Sequence, residues 1–278
     1  MIATVRRLPS LTPRVLIIKI VTAVCILAAW EALSVSGLFY KGIVPSVFEV
    51  LRACVAEVAD KGFYRDLGYT LLESFVGFAG GSVIAVAVAI VLGLNSYARR
   101  VCEPYINALG GTPKIIFLPI LFLIFGLGIE SKMAKAALSA FFPVVLSTIS
   151  GFVQIPPVLI RVGESFGLTR WQTVRKIYLP AMSEPLLTGL RLGIAMAIIG
   201  VLSAEISYSN VGLGYRLIQS ADQFKIPSVY AITFLIFAVS ALINTAVMHL
   251  QRWMSKHKRG SVASSAAKVS TRLARRAA

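Results

Sequence analysis

Long apolar runs decide what this chain can fold into. Stretches at about 15–38, 69–94, 104–127, 133–153, 186–207 and 228–250 are almost free of charge. Each has about the length a helix needs to cross a bilayer, roughly 20 residues. Only helices and closed barrels satisfy every backbone group in lipid, and runs of this length and continuity are helical. The chain therefore reads as an all-α membrane protein with about six transmembrane helices. At 278 residues, 57% hydrophobic and 14% charged, it leaves no room for a separate soluble domain; such domains carry about 25% charged residues.

The net charge of +16 does not point to nucleic acid in so apolar a chain. Membrane proteins retain Lys and Arg on the cytoplasmic side. Here the basic residues gather in an arm at 1–14 (Arg6, Arg7, Arg14), at Arg99 and Arg100, in the polar interval 155–180, and in the tail at 254–278. Six spans put both termini on one face, so the N and C termini and the 155–180 loop are expected in the cytoplasm. The tail, small, polar and basic, is expected to be disordered. Cys25, Cys54 and Cys102 show no paired or metal-ligand spacing.

Between the runs, local signals are specific. Ser46 followed by Glu49 forms a capping box, and Val47, Val50, Leu51, Cys54, Val55 and Val58 recur at helical spacing. These predict a short amphipathic helix at the membrane surface. The second run is rich in Gly and Ala, which let helices approach closely in lipid. Residues 95–103 read as a turn. The third run holds Pro113 and Pro119 with Lys114 between them. Proline kinks a helix, and a kinked span must face protein or a water-filled path.

The longest polar interval in the second half is 155–180. Pro156 and Pro157 end the fourth span and suit a new helix start. Gly167 ends that helix as a C′ glycine does, and Thr169 with Gln172 caps the next. Val158, Leu159, Val162 and Phe166 form one apolar stripe; Trp171, Val174 and Ile177 form another. Two short amphipathic helices with exposed bases are suited to another protein's groove.

This interval resembles the EAA loop of type I ABC importer permeases. The match is Gly167, Ile177, Leu179 and Pro180 at the family's spacing; the family's Glu-Ala-Ala positions instead hold Arg161, Val162 and Gly163. Further stretches are similar to the nitrate, sulfonate, taurine and bicarbonate branch: Val44 to Ser46, Gly77-Phe78, Pro113 and Pro119 with Phe125 to Gly128, Phe141 to Pro143, Thr188 to Arg191, Ala204-Glu205, and Val211 to Gly214. The resemblance spans about 15–253 as a single permease domain of the MetI-like fold. It implies a multi-pass protein of the bacterial inner membrane, acting as a homodimer. It further implies two cytoplasmic ATPases bearing ATP and Mg, a periplasmic binding protein delivering a small solute such as a sulfonate- or nitrate-type anion, and alternating access. The expected ATPase-coupling residues are Arg161, Glu164, Phe166, Gly167, Arg170, Trp171, Val174, Ile177, Leu179 and Pro180. Candidates for the translocation pathway are Glu205, Ser203, Pro113, Pro119 and Glu73, because acids within spans tend to face a cavity or a partner. Lys114 and Arg191 are basic residues in or beside spans that can reach the pathway or snorkel to the interface.

Two other classes compete. A secondary transporter would show paired repeats and mid-membrane ionisable groups; no clear repeat is visible. A membrane enzyme would need a clustered nucleophile, acid–base pair or metal set. His249 and His257 have no carboxylate or Cys at ligand spacing, and no phosphate-binding Gly-x-x-x-x-Gly-Lys-Ser/Thr loop occurs. No catalysis, metal or cofactor is expected in this chain.

Overall fold

A computed structural model describes the backbone of residues 13–38 and 42–277 and the side chains of 15–38, 42–169 and 171–252. Most of the expected arm at 1–14 lies outside the described residues. The described residues form twelve α-helices: α1 (Pro13–Val35), α2 (Val47–Ala59), α3 (Lys61–Leu94), α4 (Ser96–Gly111), α5 (Leu118–Phe125), α6 (Ile129–Val153), α7 (Pro157–Ser165), α8 (Arg170–Thr173), α9 (Leu179–Ala181), α10 (Ser183–Ser207), α11 (Leu213–Asp222) and α12 (Ile226–Ala277). Five of them (α1, α3, α6, α10 and α12) are long and apolar enough to cross a membrane. A sixth span is counted if the bent pair 96–125 is one crossing.

The third span differs from the expected kinked helix. Asn95 caps α4 by accepting from the amides of Tyr97 and Ala98, so residues expected as a turn are helical. The helix then stops at Gly111. Thr112, preceding a proline, is extended, as the Pro113 ring requires. The chain resumes in a 3-10 turn (Lys114–Phe117) and α5, bent 92° from α4. Gly110, Gly111 and, after one intervening residue, Pro113 together break the helix; one proline would only have kinked it. The second span also begins earlier than expected. α3 starts at Lys61 with no proline to stop it and runs 34 residues, about 51 Å at 1.5 Å per residue. Past the sixth span, α12 continues without a break through the tail expected to be disordered. No proline follows Pro227, and Ala, Lys and Arg sustain a helix once it has nucleated.

The chain divides into two compact units. The first comprises residues 1–61 and 217–234. There Trp30 stands edge-on to Tyr230 with centroids 5.3 Å apart and donates to the Pro45 carbonyl at 2.9 Å. Glu31 accepts from the Val47 amide at the start of α2. The predicted capping box is present: the Glu49 amide donates to Ser46 Oγ, and the Ser46 amide to Glu49 Oε2. Of the apolar stripe on α2, Val50 is buried while Leu51 and Val55 are exposed.

The second unit, residues 62–216 and 235–278, is centred on α6. Gly77 and Gly81 of α3 lie where a Cβ would overlap the α6 backbone at Met133 and Ala137. On its other side α6 meets α10 through Ala136, Ala140, Ala197 and Val201, all fully buried. Small residues replace the hydrophobic effect as the reason for close packing in lipid. Large apolar side chains point outward instead, among them Val83, Val91, Leu123 and Leu242.

Candidate functional site

Three places in the second unit carry chemistry. The first is a cavity of about 470 Å³ at the break between α4 and α5, walled by the 3-10 turn, α6 and α10. Pro113, Lys114, Lys135, Ser139, Phe142 and Ser203 are among its lining residues. The break leaves carbonyls without helical partners, and two lysines serve them. Lys114 Nζ donates to the Gly110 carbonyl, and Lys135 Nζ to the Lys114 carbonyl. An ammonium at a helix C-terminus also meets the negative end of the helix dipole. Lys114 lies 5.0 Å above the Phe142 ring, and Lys135 is only 1% exposed. Ser203 donates to the Gly200 carbonyl at 2.8 Å.

The second place is the start of α11. Its first amides are donors that no helical carbonyl can serve. Gly212 N donates to Asp66 Oδ1 at 3.3 Å, Leu213 N to Thr70 Oγ1 at 2.9 Å, and Gly214 N to Glu205 Oε2 at 2.7 Å. The Thr70 hydroxyl donates in turn to Glu205 Oε1 at 2.7 Å. Arg216 closes on Asp66 Oδ2 at 3.3 Å. One level away, Lys132 pairs with Glu73 at 3.3 Å, the two side chains 2% and 0% exposed, and donates to Ser209 Oγ at 2.6 Å. The motif at 211–214 has its glycines for a physical reason. Gly212 sits at φ +106°, and a Cβ on either Gly212 or Gly214 would meet Glu205.

The third place is 155–181. α7 ends in a Schellman turn: the Leu168 amide reaches the Gly163 carbonyl, and the Gly167 amide the Glu164 carbonyl, with Gly167 at φ +65°. Thr169 and Gln172 cap α8 reciprocally. A π-helical turn (Val174–Tyr178) follows. The base is packed: Phe152, Ile155 and Met182 form a buried cluster, and Tyr178 lies 5.0 Å from the Phe152 ring. Burial pushes the Tyr178 phenol up, and the Glu164 charge adds to that. Gly163 leaves room for Ile177. Phe166 and Trp171 stand outward, 80% and 69% exposed.

The expected site residues therefore separate. Pro113 and Ser203 share the cavity. Pro119 is exposed on α5 and does not line it. Glu205 and Glu73 are fully buried within the unit, 0% exposed, and serve the α11 start and Lys132 rather than the cavity. In the loop, Arg161, Glu164 and Pro180 are exposed, Ile177 and Leu179 are half-buried, and Val174 is buried. The Arg170 side chain lies outside the described residues. Arg191 is half-buried. The sequence analysis did not single out Lys132 and Lys135. Their spacing of three on an apolar helix, one face, was the available signal.

The family profile described as binding-protein-dependent transport system inner membrane component matches residues 81–260. That stretch includes the cavity and the 155–181 segment. The chain belongs to this family. As an inner membrane component it is the permease subunit of an ABC importer, a multi-pass protein of the bacterial inner membrane. The secondary-transporter alternative falls away. The permease is 27% identical to the taurine transport system permease protein TauC of Escherichia coli over 84% of this chain and 87% of that one. It is 24% identical to the putative aliphatic sulfonates transport permease protein SsuC of Bacillus subtilis over 83% and 84%. Among solved structures, a chain of the MetNI methionine ABC transporter in inward-facing form aligns with TM-score 0.61. It covers 68% of this permease and 94% of that chain at 22% identity, a likeness of fold. Permeases of this family work with an ATPase and a substrate-binding protein in general.

Proposed function

We propose that two copies of this permease form the translocation path for a small organic or inorganic oxyanion delivered by a periplasmic binding protein. Cytoplasmic ATPases, holding ATP and Mg, dock on the 155–180 segment of each copy. The chain itself catalyses nothing and binds no cofactor. With both termini and this segment cytoplasmic, ATPase closure pushes the segment as a lever and reverses which side of the path is open.

The observation that carries the reading is the build of 155–181. Two exposed aromatics, Phe166 and Trp171, project from a base in which Val174 is buried and which Phe152, Ile155 and Met182 pack against the ends of α6 and α10. Aromatics of this kind anchor docking interfaces, and the packed base transmits displacement to the spans. Val174, buried, holds the lever together and does not touch the partner.

The test is reconstitution of the permease with the ATPase and binding protein encoded beside it. The reading predicts ATP hydrolysis stimulated by the loaded binding protein, and loss of that stimulation in Phe166→Ala/Trp171→Ala with assembly of the spans intact. Solute movement by the permease alone under an ion gradient would contradict it.

A further inference from the structure

The cavity at the α4–α5 break holds two ammonium groups and, among its lining residues, no acid. Buried charge is ordinarily paired, and among the described residues the other buried charges of this unit have partners: Asp66 has Arg216, Glu73 has Lys132 at Oε1, and Glu205 has hydroxyl and amide donors. Lys114 and Lys135 are close enough to repel each other. Among the described residues each makes one hydrogen bond, to a carbonyl, while an ammonium has three donors. Ser139 lies 7% exposed against the same space, and its hydroxyl has no partner among the described residues. The remaining wall is apolar: Ile115, Leu146, Met196 and Ile199 join Phe142.

We propose that this cavity is an oxyanion subsite of the path, in which Lys114, Lys135 and Ser139 take the charged head and the apolar wall takes an organic tail. The inference rests on the importer reading and deepens it by naming the residues that take the oxyanion and the apolar wall that favours an organic one. An oxyanion supplies the missing counter-charge and accepts the unused N–H and O–H donors; such charge-assisted bonds are the strong ones. A volume of about 470 Å³ falls in the usual range for ligand pockets, about 300–1,000 Å³. It exceeds what a bare triatomic or tetrahedral anion fills, so an organic sulfonate or carboxylate fits better than an inorganic anion. A lipid phosphate shares the head-group chemistry, and the experiment separates the two sources.

Permease–ATPase complex in phosphatidylcholine nanodiscs is titrated calorimetrically with ethanesulfonate, inorganic sulfate and the neutral analogue methanesulfonamide. The expected result is binding of ethanesulfonate, at least threefold weaker binding of sulfate, and none of the sulfonamide. Lys135→Met and Lys114→Met each weaken ethanesulfonate tenfold or more, whereas Lys135→Arg stays within about threefold. Oligomeric state and ATPase binding are scored on the same samples. Loss of ATPase binding in wild type counts against the importer reading alone, and unchanged ethanesulfonate affinity in both Lys→Met variants counts against the subsite alone. Absence of ethanesulfonate binding overturns the proposal, whether lipid or the second copy fills the space. Phosphatidylglycerol that co-purifies with wild type but not with Lys135→Met would assign the lysines to lipid and overturn it too.

Discussion

Two charged regions lie on the same pair of helices and are built in opposite ways. At the start of α11, three acids each meet a donor inside the chain: Asp66 takes Arg216 and the Gly212 amide, Glu205 takes Thr70 and the Gly214 amide, and Glu73 takes Lys132 through Oε1. At the α4–α5 break, two lysines face a cavity with only carbonyls as hydrogen-bond acceptors. The first region is closed and holds a loop in place. The second is open and retains unused donors. A buried charge therefore signals a ligand here only when its partners inside the chain are too few. Glu205, the most conspicuous acid in the sequence, belongs to the scaffold.

The largest effect should come from opening the closed region. Lys132→Met strands Glu73 without its cation, and breaking one side of a buried pair costs about 3–5 kcal/mol. The detergent-solubilised protein should lose most of its thermal stability, and Lys132→Met with Glu73→Gln should recover much of it. If the single variant melts with wild type, the pair is not structural. Next, Thr70→Val removes the hydroxyl shared by Glu205 and the Leu213 amide, at about 1–3 kcal/mol for the groups left unsatisfied. Protection of the 212–214 amides in hydrogen exchange should fall there first. Gly167→Val forces a β-branched residue into the left-handed region, at a cost of order 1–3 kcal/mol confined to the α7–α8 turn. It should abolish ligand-stimulated ATP hydrolysis while leaving the melting of the spans nearly unchanged. Smallest of all, Lys135→Met should shift stability by about 1 kcal/mol or less, since the lost carbonyl bond is worth about that much and the repulsion with Lys114 disappears. A loss comparable to Lys132→Met would erase the distinction between the regions.

Much of the scaffold was legible because it depends on neighbours in sequence. The Ser46–Glu49 and Thr169–Gln172 boxes, the double proline that starts α7 and the glycine that turns it at 167 each need only a few residues of context. The span pattern follows from hydropathy alone. What escaped depends on distance. Lys132 and Glu73 lie 59 positions apart, and hydropathy places both at span ends, where charges are cheap. The amides that engage Glu205 come from the following loop, which nothing in the acid's own surroundings announces. The 92° bend was read as a kink because Pro113 was weighed with Pro119, without Gly110 and Gly111 before it. The cavity could not be foreseen at all, since it forms only where that bend meets α6 and α10.

The most direct test of the contrast is thiol accessibility in a background with Cys25, Cys54 and Cys102 replaced. Ser203→Cys reports on the open cavity; Ser74→Cys, 1% exposed beside Glu73, reports on the closed region. Each is reacted with sulfonatoethyl and trimethylammonioethyl methanethiosulfonate, with rates corrected for each reagent's reaction with free cysteine. The account predicts that the thiol at 203 reacts, that it favours the anionic reagent about tenfold, that Lys114→Met/Lys135→Met removes this preference, and that the thiol at 74 is inert. Equal reaction at 74 and 203, or no charge preference at 203, would contradict it.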